Sequence, residues 1–438
     1  MKRSSARAPG LAGAAALGLA LGLLLAAGCG GGSHPRSGGA SHPASASPSR
    51  SCGGGAGTAP AGAGAGAGAA GSAAGQGQAS QKPVLNGVQF VSASTGWVVG
   101  SDRILHTADG GSHWAIQYRA AAAARLTAVD FADASHGWVV GASTMLATTD
   151  GGAHWGPLAE PCQVIRAVHF VSPAEGFAVA GGSLPDHGVP AAGGVLLSTA
   201  DGGVHWRLMT TPRDVQTACF SGPQRGWLGA GGSIYGTVNG GRTWTLAVRG
   251  PGGPGGPPDS DAIAEVECAG SGAGWAELNG PGAALSHMPQ IGYHTSGSTW
   301  QPIFAEQYTA SPTLRRLVRA DSPGAYPGPF SSISPDQAVF VGYCAPCSLP
   351  GTPQLQGTAP MDVAAHGGTV LLRRGLVSKL AEANGAAFVT ASDGWVVGTQ
   401  TSYPLSASGS GSAPKTVTRI MHTADGGRTW HVQYALGP

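Results

Sequence analysis

"FVSASTGWVVG" (residues 90–100) and "HTADGGSHW" (106–114) stand close together in the chain, and both return. The first phrase recurs as "FADASHGWVVG" (131–141), "FVSPAEGFAVA" (170–180), "FSGPQRGWLGA" (220–230), "CAGSGAGWAEL" (268–278) and "FVTASDGWVVG" (388–398). The second recurs as "TTDGGAHW" (148–155), "STADGGVHW" (198–206), "GTVNGGRTW" (236–244), "HTSGSTW" (294–300) and "HTADGGRTW" (422–430). Every one of the 11 tryptophans lies in one of these phrases. Trp97, Trp138, Trp227, Trp275 and Trp395 follow a glycine in the first, and Trp114, Trp155, Trp206, Trp244, Trp300 and Trp430 close the second. A residue type confined to repeat slots has an architectural task.

One repeat unit, residues 84–118, reads as four short strands: "VLNGVQF", "GWVVGS", "RILHT" and "HWAIQY". Each is a β-branched or aromatic run bounded by Gly, Asp and Ser. Successive anchors of the first phrase are 41, 39, 50 and 48 residues apart. Four strands in that span is the size of one β-propeller blade. The 120 residues between Trp275 and Trp395 are too many for one interval, and a further unit fits there. "ISPDQAVFVGYC" (333–344) stands for the first phrase, with Val339 in the tryptophan slot. "AHGGTVLLR" (365–373) resembles the third strand of the third unit, which puts a fourth strand near "LVSKL" (376–380) and leaves this unit without the second phrase. The expected fold is all-β: a seven-bladed β-propeller with four-stranded antiparallel blades, six and eight blades being the alternatives. Blades are expected at about 84–118, 126–158, 164–209, 215–248, 262–303, 330–380 and 384–434. In a ring the first and last blades are neighbours, and closure removes the sheet edges that would otherwise pair with other chains.

Turn chemistry explains the second phrase. Asp-Gly-Gly joins two antiparallel strands with residues that accept positive φ. The aspartate can accept backbone N–H bonds within its own turn, and the tryptophan covers the turn with an apolar face. The pattern Ser/Thr-x-Asp-x-Gly-x-x-Trp resembles the Asp-box, or bacterial neuraminidase repeat. Asp109, Asp150, Asp201 and Asp425 fill the acidic slot, Asn239 replaces it in the fourth copy, and the fifth copy has lost it.

The double pattern, a phenylalanine seven before Gly-Trp-Val-Val-Gly's tryptophan followed by an Asp-box in each unit, resembles the propeller family of photosystem II assembly and stability factors. The resemblance covers about residues 84–434. It implies a seven-bladed ring on the extracytoplasmic side that acts without catalysis on a membrane complex. The chain departs from that pattern in Pro-rich insertions (250–260 and 345–360), a decayed sixth blade and a long N-terminal extension.

That extension reads as a signal and a tether. Lys2, Arg3 and Arg7 precede an apolar run, Leu11 to Ala27, and then "LAAGC" at 25–29. Small residues before a cysteine resemble the lipobox of bacterial lipoproteins, so residues 1–28 are expected to be a lipoprotein signal peptide and Cys29 the lipidated residue. An ordinary cleaved signal and an uncleaved helix are the alternatives, though the run is short for the ~20 residues a span needs. Residues 29–83, rich in Gly, Ala, Ser and Pro, cannot bury enough surface to offset ordering and are expected to be a disordered tether. The mature protein is then anchored to the outer face of the cell membrane, with the propeller at 84–438.

Composition narrows the function. Charged residues make up 11% of the chain, well under the roughly 25% usual for soluble domains, and Gly is 75 of 438. A formal charge of +2 gives no electrostatic case for nucleic acid. Sialidases share the Asp-box but need an arginine cluster and a Tyr nucleophile, and their "[FY]-R-I-P" motif does not occur. Another glycoside hydrolase would need two carboxylates across a cleft. Asp130, Asp133, Glu175, Asp214, Glu265 and Glu267 are available, none in a recognisable motif. His113, His154 and His205 share a slot with Thr243, Thr299 and Thr429 and lie on different blades, so no metal site is expected. "CAPC" gives Cys344 and Cys347 as a local disulfide in an exported protein, with a redox or metal role as the alternative. Cys219 and Cys268 fall one place apart in the first phrase, should point to opposite faces, and are not expected to pair. "LRRLVRA" (314–320) and Arg373–Arg374 read as a solvated basic face, or as a patch for an acidic partner. The expectation is a monomeric, cofactor-free scaffold that binds a protein partner, plausibly a membrane complex under assembly. The alternative is a carbohydrate-active propeller at the cell surface.

Overall fold

The computed structural model describes residues 84–437, apart from 143, 160–162, 182–192, 251–263, 271, 280–289, 306–327, 343–357 and 403–414. The apolar run of the first phrase shows how the molecule is assembled. Gly96–Gly100 is buried at every position, whereas the fourth strand of the same unit, Ala115–Arg119, is mostly exposed. A strand buried on both sides must lie between two layers, which is why the Trp-Val-Val run lacks the alternation of a half-exposed strand. The layers are blades. Seven four-stranded sheets follow one another along the chain, each an antiparallel meander whose strands pair in sequence order.

The first strands of the blades are Gly87–Phe90, Leu126–Phe131, Ile165–Phe170, Val215–Phe220, Ala264–Cys268, Phe330–Ser334 and Glu382–Phe388. They pack on one another around the ring and are innermost, while each fourth strand pairs only with its third and forms the rim. The chain is a seven-bladed β-propeller.

The first phrase is a joint between blades. Phe90 stands opposite Gly96 in the register of strands one and two. A Cβ on Gly96 would strike the Phe90 ring, so the glycine is the seat on which the ring lies. The same seat repeats at Gly137 under Phe131, Gly176 under Phe170, Gly226 under Phe220 and Gly394 under Phe388. The ring faces the preceding blade. The aromatic that follows the glycine points the other way and stacks on the phenylalanine of the next blade. Trp97 meets Phe131 at 3.6 Å, Trp138 meets Phe170 at 3.4 Å and Phe177 meets Phe220 at 3.5 Å between ring centroids. Trp395 of the last blade meets Phe90 of the first at 3.5 Å, so ring closure uses the same joint. Gln433 Nε2 donates to Gly110 O at 2.8 Å and Asn384 Nδ2 to Leu85 O at 2.9 Å across that closing seam. The buried apolar side chains accordingly form one cluster per seam instead of a single core.

Two expectations are corrected. Cys219 and Cys268 form a disulfide, with Cα atoms 5.6 Å apart. The offset of one place does aim them at opposite faces of their own blades. Blades stack face to face, however, so the forward face of blade four meets the backward face of blade five, and opposite facing brings the two sulfurs together. Cys268 occupies the phenylalanine slot, and the bond replaces the aromatic stack at this seam. Trp300 takes over the seat, lying against Gly274 and edge to face with Trp227 at 5.0 Å.

The second correction concerns blade six. Its third strand is Thr358–Ala365 and its fourth Val370–Ser378, so "AHGGTVLLR" spans the turn between them and the start of the fourth strand. Gly367 N donates to Asp336 O, as Gly110 N donates to Ser94 O in the first blade, and Gly367 and Gly368 have the same positive φ as Gly110 and Gly111. Blade six therefore keeps the backbone of the Asp-box turn without its Asp and Trp.

Candidate functional site

Three groups of polar residues are set by this architecture: the Asp-box turns at the rim, a column of side chains spanning the seams near the axis, and a carboxylate cluster in one seam.

The turns are self-contained. In the first, Gly111 N donates to Thr107 Oγ1 at 2.8 Å, His113 N donates to Asp109 Oδ1 at 2.9 Å, and the Thr107 hydroxyl donates to Asp109 Oδ1 at 2.9 Å. The pattern repeats around Asp150, Asp201 and Asp425, and around Asn239, whose amide oxygen accepts from Thr243 N at 3.0 Å. The bond from the residue four places on is the main cause that lowers the carboxyls of Asp109, Asp150, Asp201 and Asp425 to about 2. Their charge is engaged within the turn, which leaves no general acid or base here. Among the described residues the rings of His113, His154 and His205 each bond to the aspartate of their own turn, at 2.6–2.7 Å, and stand well out in solvent. Trp114, Trp155, Trp206, Trp244, Trp300 and Trp430 pack into six different seam clusters. In blade five the turn manages without a carboxylate: the Thr295 hydroxyl donates to Thr299 O at 2.8 Å.

The seam column was not foreseen from the sequence. The residue just before each phenylalanine slot faces the next blade. Phe131 N donates to Gln89 Oε1 at 2.6 Å and Phe170 N to Asp130 Oδ2 at 2.6 Å. His169 Nε2 contacts Phe220 O at 2.9 Å, Ser332 N donates to Glu267 Oε2 at 2.5 Å, and Phe388 N donates to Ser331 Oγ at 3.0 Å. Cys219 holds this position at the disulfide seam. The side chains differ in chemistry but share one task, capturing the backbone of the following inner strand, so no motif reveals them.

The carboxylates named from the sequence do not converge on a cleft. Asp133 caps its own loop through Ser135 N and His136 N, Glu175 lies in a strand connection, and Asp214 accepts from Gly193 N at 2.7 Å. Asp130 belongs to the seam between blades two and three, where burial raises its pKa against the pull of His169. Glu265 and Glu267 share a seam between blades five and six with Glu277, which sequence reading passed over. Burial pushes Glu265 up to about 8 and Glu267 to about 7, and raises Glu277 well above the usual range. Among the described residues no group of His, Cys, Asp and Glu could hold a metal ion. Cys29, Cys344, Cys347 and residues 314–320 lie outside the described residues, and Arg373 and Arg374 fall in the fourth strand of blade six.

The two ends of the ring differ in connection length. Strands one and two, and strands three and four, join on the Asp-box face by seven residues or fewer. On the other face the chain takes 14 residues between Ala180 and Val195, 15 between Val248 and Ala264, 10 between Asn279 and Gln290 and 24 between Ala305 and Phe330. It takes 16 between Val341 and Thr358 and 12 between Ser402 and Lys415, again on that face.

The model of the family described as photosynthesis system II assembly factor YCF48 matches residues 76–159 and 120–256, the first four blades. Over those residues, less than half of the chain, the propeller is similar to that family. Among solved structures, "YCF48 bound to D1 peptide" is similar at 16% identity and a TM-score of 0.47, over 72% of this chain and 90% of that one. YCF48 from Cyanidioschyzon merolae gives 16%, 0.48, 73% and 94%, and the GH74 enzyme of Niastella koreensis 12%, 0.49, 80% and 66%. Likeness at this level is one of fold alone. No curated protein matches the chain.

Proposed function

We propose that this photosystem II assembly factor-like propeller is a non-catalytic, extracytoplasmic scaffold that binds a protein partner. The partner is a membrane complex whose assembly or stability the scaffold assists, and the propeller reaches it from a lipid anchor at Cys29. The observation that carries the reading is the family-model match over the first four blades. Two features support it. The ring is stiffened at each seam by stacking, a disulfide or cross-blade hydrogen bonds, which suits a platform better than a moving enzyme. Its long connections all leave from one face, and loops held by a rigid scaffold are where binding concentrates. Fold alone does not decide function.

A carbohydrate-active propeller is the competing reading. The exposed large apolar side chains among the described residues are Val, Ile and Leu, with no aromatic platform for a sugar ring, and the raised carboxyls sit inside a seam. The test is capture of the tagged full-length lipoprotein after mild cross-linking in its native membrane, read by mass spectrometry. One membrane complex recovered repeatedly, and lost when the connections after Asn279 and Ser402 are replaced by short turns, is the expected result. Recovery of bulk envelope proteins only, together with binding or cleavage of cell-wall glycans, would overturn it.

A further inference from the structure

The seam between blades five and six is built unlike the others. Glu265 and Glu267 are two places apart on the inner strand and share a face, and Glu277 stands directly opposite Glu265 on the second strand. Glu267 crosses to Ser332 N, and Glu277 Oε1 accepts from Gly328 N at 3.1 Å, so that face is turned to blade six. Three carboxyls thus occupy neighbouring positions in one gap, Glu277 buried and Glu265 and Glu267 half-buried, and like charges at such positions repel.

Among the described residues no Lys or Arg acts on these carboxyls, and Arg373 stands opposite Asp362 on the fourth strand of blade six. The titratable groups facing this gap from blade five are the three glutamates and His294, whose Nε2 donates to Pro335 O and whose charged form burial disfavours. Blade six presents Asp336 in its first connection and Asp362, which stands opposite Phe340 and faces the same way, with contacts of its own. His169 of blade three acts on Glu267 from further off and favours its charge. Glu277 is 1% exposed, and its Oε2 has no hydrogen-bond partner. Gln290, diagonal to it on the same face and 2% exposed, turns its side-chain amide toward Glu277 and favours its charge, but its nitrogen completes no well-aligned hydrogen bond. An ionised carboxylate with an empty oxygen in such a place is costly; a carboxylic acid there is not.

We propose that this seam is a proton-operated joint, closed while Glu265, Glu267 and Glu277 carry their protons and loosened when they ionise. Burial is the first cause for each, and mutual repulsion adds to it for Glu265 and Glu277. A carboxyl whose folded value exceeds its unfolded one stabilises the fold fully below the unfolded value, and that contribution is lost as pH rises to the folded value. The usual value is 4.5, and the folded values are about 8 for Glu265 and about 7 for Glu267, so the loss from these two runs from about pH 4.5 to about 8. Glutamine keeps the shape of the protonated acid and cannot ionise.

The test uses the full chain and its Glu265→Gln and Glu265→Gln/Glu277→Gln variants, measured by denaturant unfolding and amide hydrogen exchange from pH 5.5 to 9. The wild-type unfolding constant should rise at least ~10-fold more than that of the double variant between pH 5.5 and 8.5, each pKa unit of difference being a factor of ten. Faster exchange should concentrate in 264–279 and 330–341. Infrared spectra of the wild type should show a carboxylic-acid carbonyl band at pH 6 that shrinks by pH 9 and is weaker in the variants. Parallel pH slopes for wild type and variants, or no acid band at pH 6, would overturn the proposal. So would a double variant that cannot fold at pH 8.5, because glutamine should be better tolerated than two charges.

Discussion

Asp109 accepts hydrogen bonds from His113 N and the Thr107 hydroxyl, is contacted by His113 Nδ1, and holds all three less strongly when it is protonated. The carboxyls of Asp109, Asp150, Asp201 and Asp425 are lowered from 3.8 to about 2, so the stability they contribute is complete above pH 3.8 and disappears as pH falls towards 2. Asp109→Ala should therefore lower the melting temperature at pH 7, and the gap to wild type should close by pH 2. A gap independent of pH would mean that the carboxylate's charge is irrelevant to the turn. These turns were legible in the sequence because hydroxyl, carboxylate and two glycines are all required by one local geometry: a Cβ on Gly111, at φ +85°, would run into the Gln433 side chain. The seam column was not legible. Gln89, Asp130, His169 and Ser331 each reach a backbone atom of a strand some forty to sixty residues away, and several kinds of side chain can do that.

Between blades the repeated element is the aromatic joint, and its energetics follow from what it buries. Phe131 is 5% exposed, stacked on Trp97 and seated on Gly137. Phe131→Ala should cost about 3–5 kcal/mol, as large-to-small changes in packed cores do. Gly137→Ala should cost about 1–3 kcal/mol by forcing the ring off its seat. Urea unfolding of the two variants checks both, and a loss under 1 kcal/mol for Phe131→Ala would show that the stack is incidental. At the disulfide seam, removal of both sulfurs by Cys219→Ala/Cys268→Ala should lower stability by about 4 kcal/mol, the chain-entropy value for a sequence separation of 49. Unfolding in the absence of reductant measures it. The phrase carrying the joint was plain in the sequence, but its meaning was not. Periodicity within one strand says which face a residue takes, not that the neighbouring sheet presents its opposite face. That is why Cys219 and Cys268 looked unpairable.

At the scale of the molecule, the number of blades could be read from spacing because one unit cannot bury its own faces. Each needs a neighbour, and the unit must recur until the ring closes. Blade six was readable as a slot but not in its strands, since it kept the backbone turn at Gly367–Gly368 and lost the side chains that mark it. The proposed binding role rests on the family-model match over the first four blades, and the unequal connections of the two faces say where to look for it. The most direct test places a photo-reactive residue at single exposed positions of the full-length protein in its native membrane. Arg119, Arg213, Arg249 and Lys379 probe the face with long connections, and Ser94, Ser112 and Arg242 the Asp-box face. The account predicts that probes on the first face label one and the same membrane protein while those on the Asp-box face do not. Labelling confined to the Asp-box face, or no discrete product from either, would contradict it.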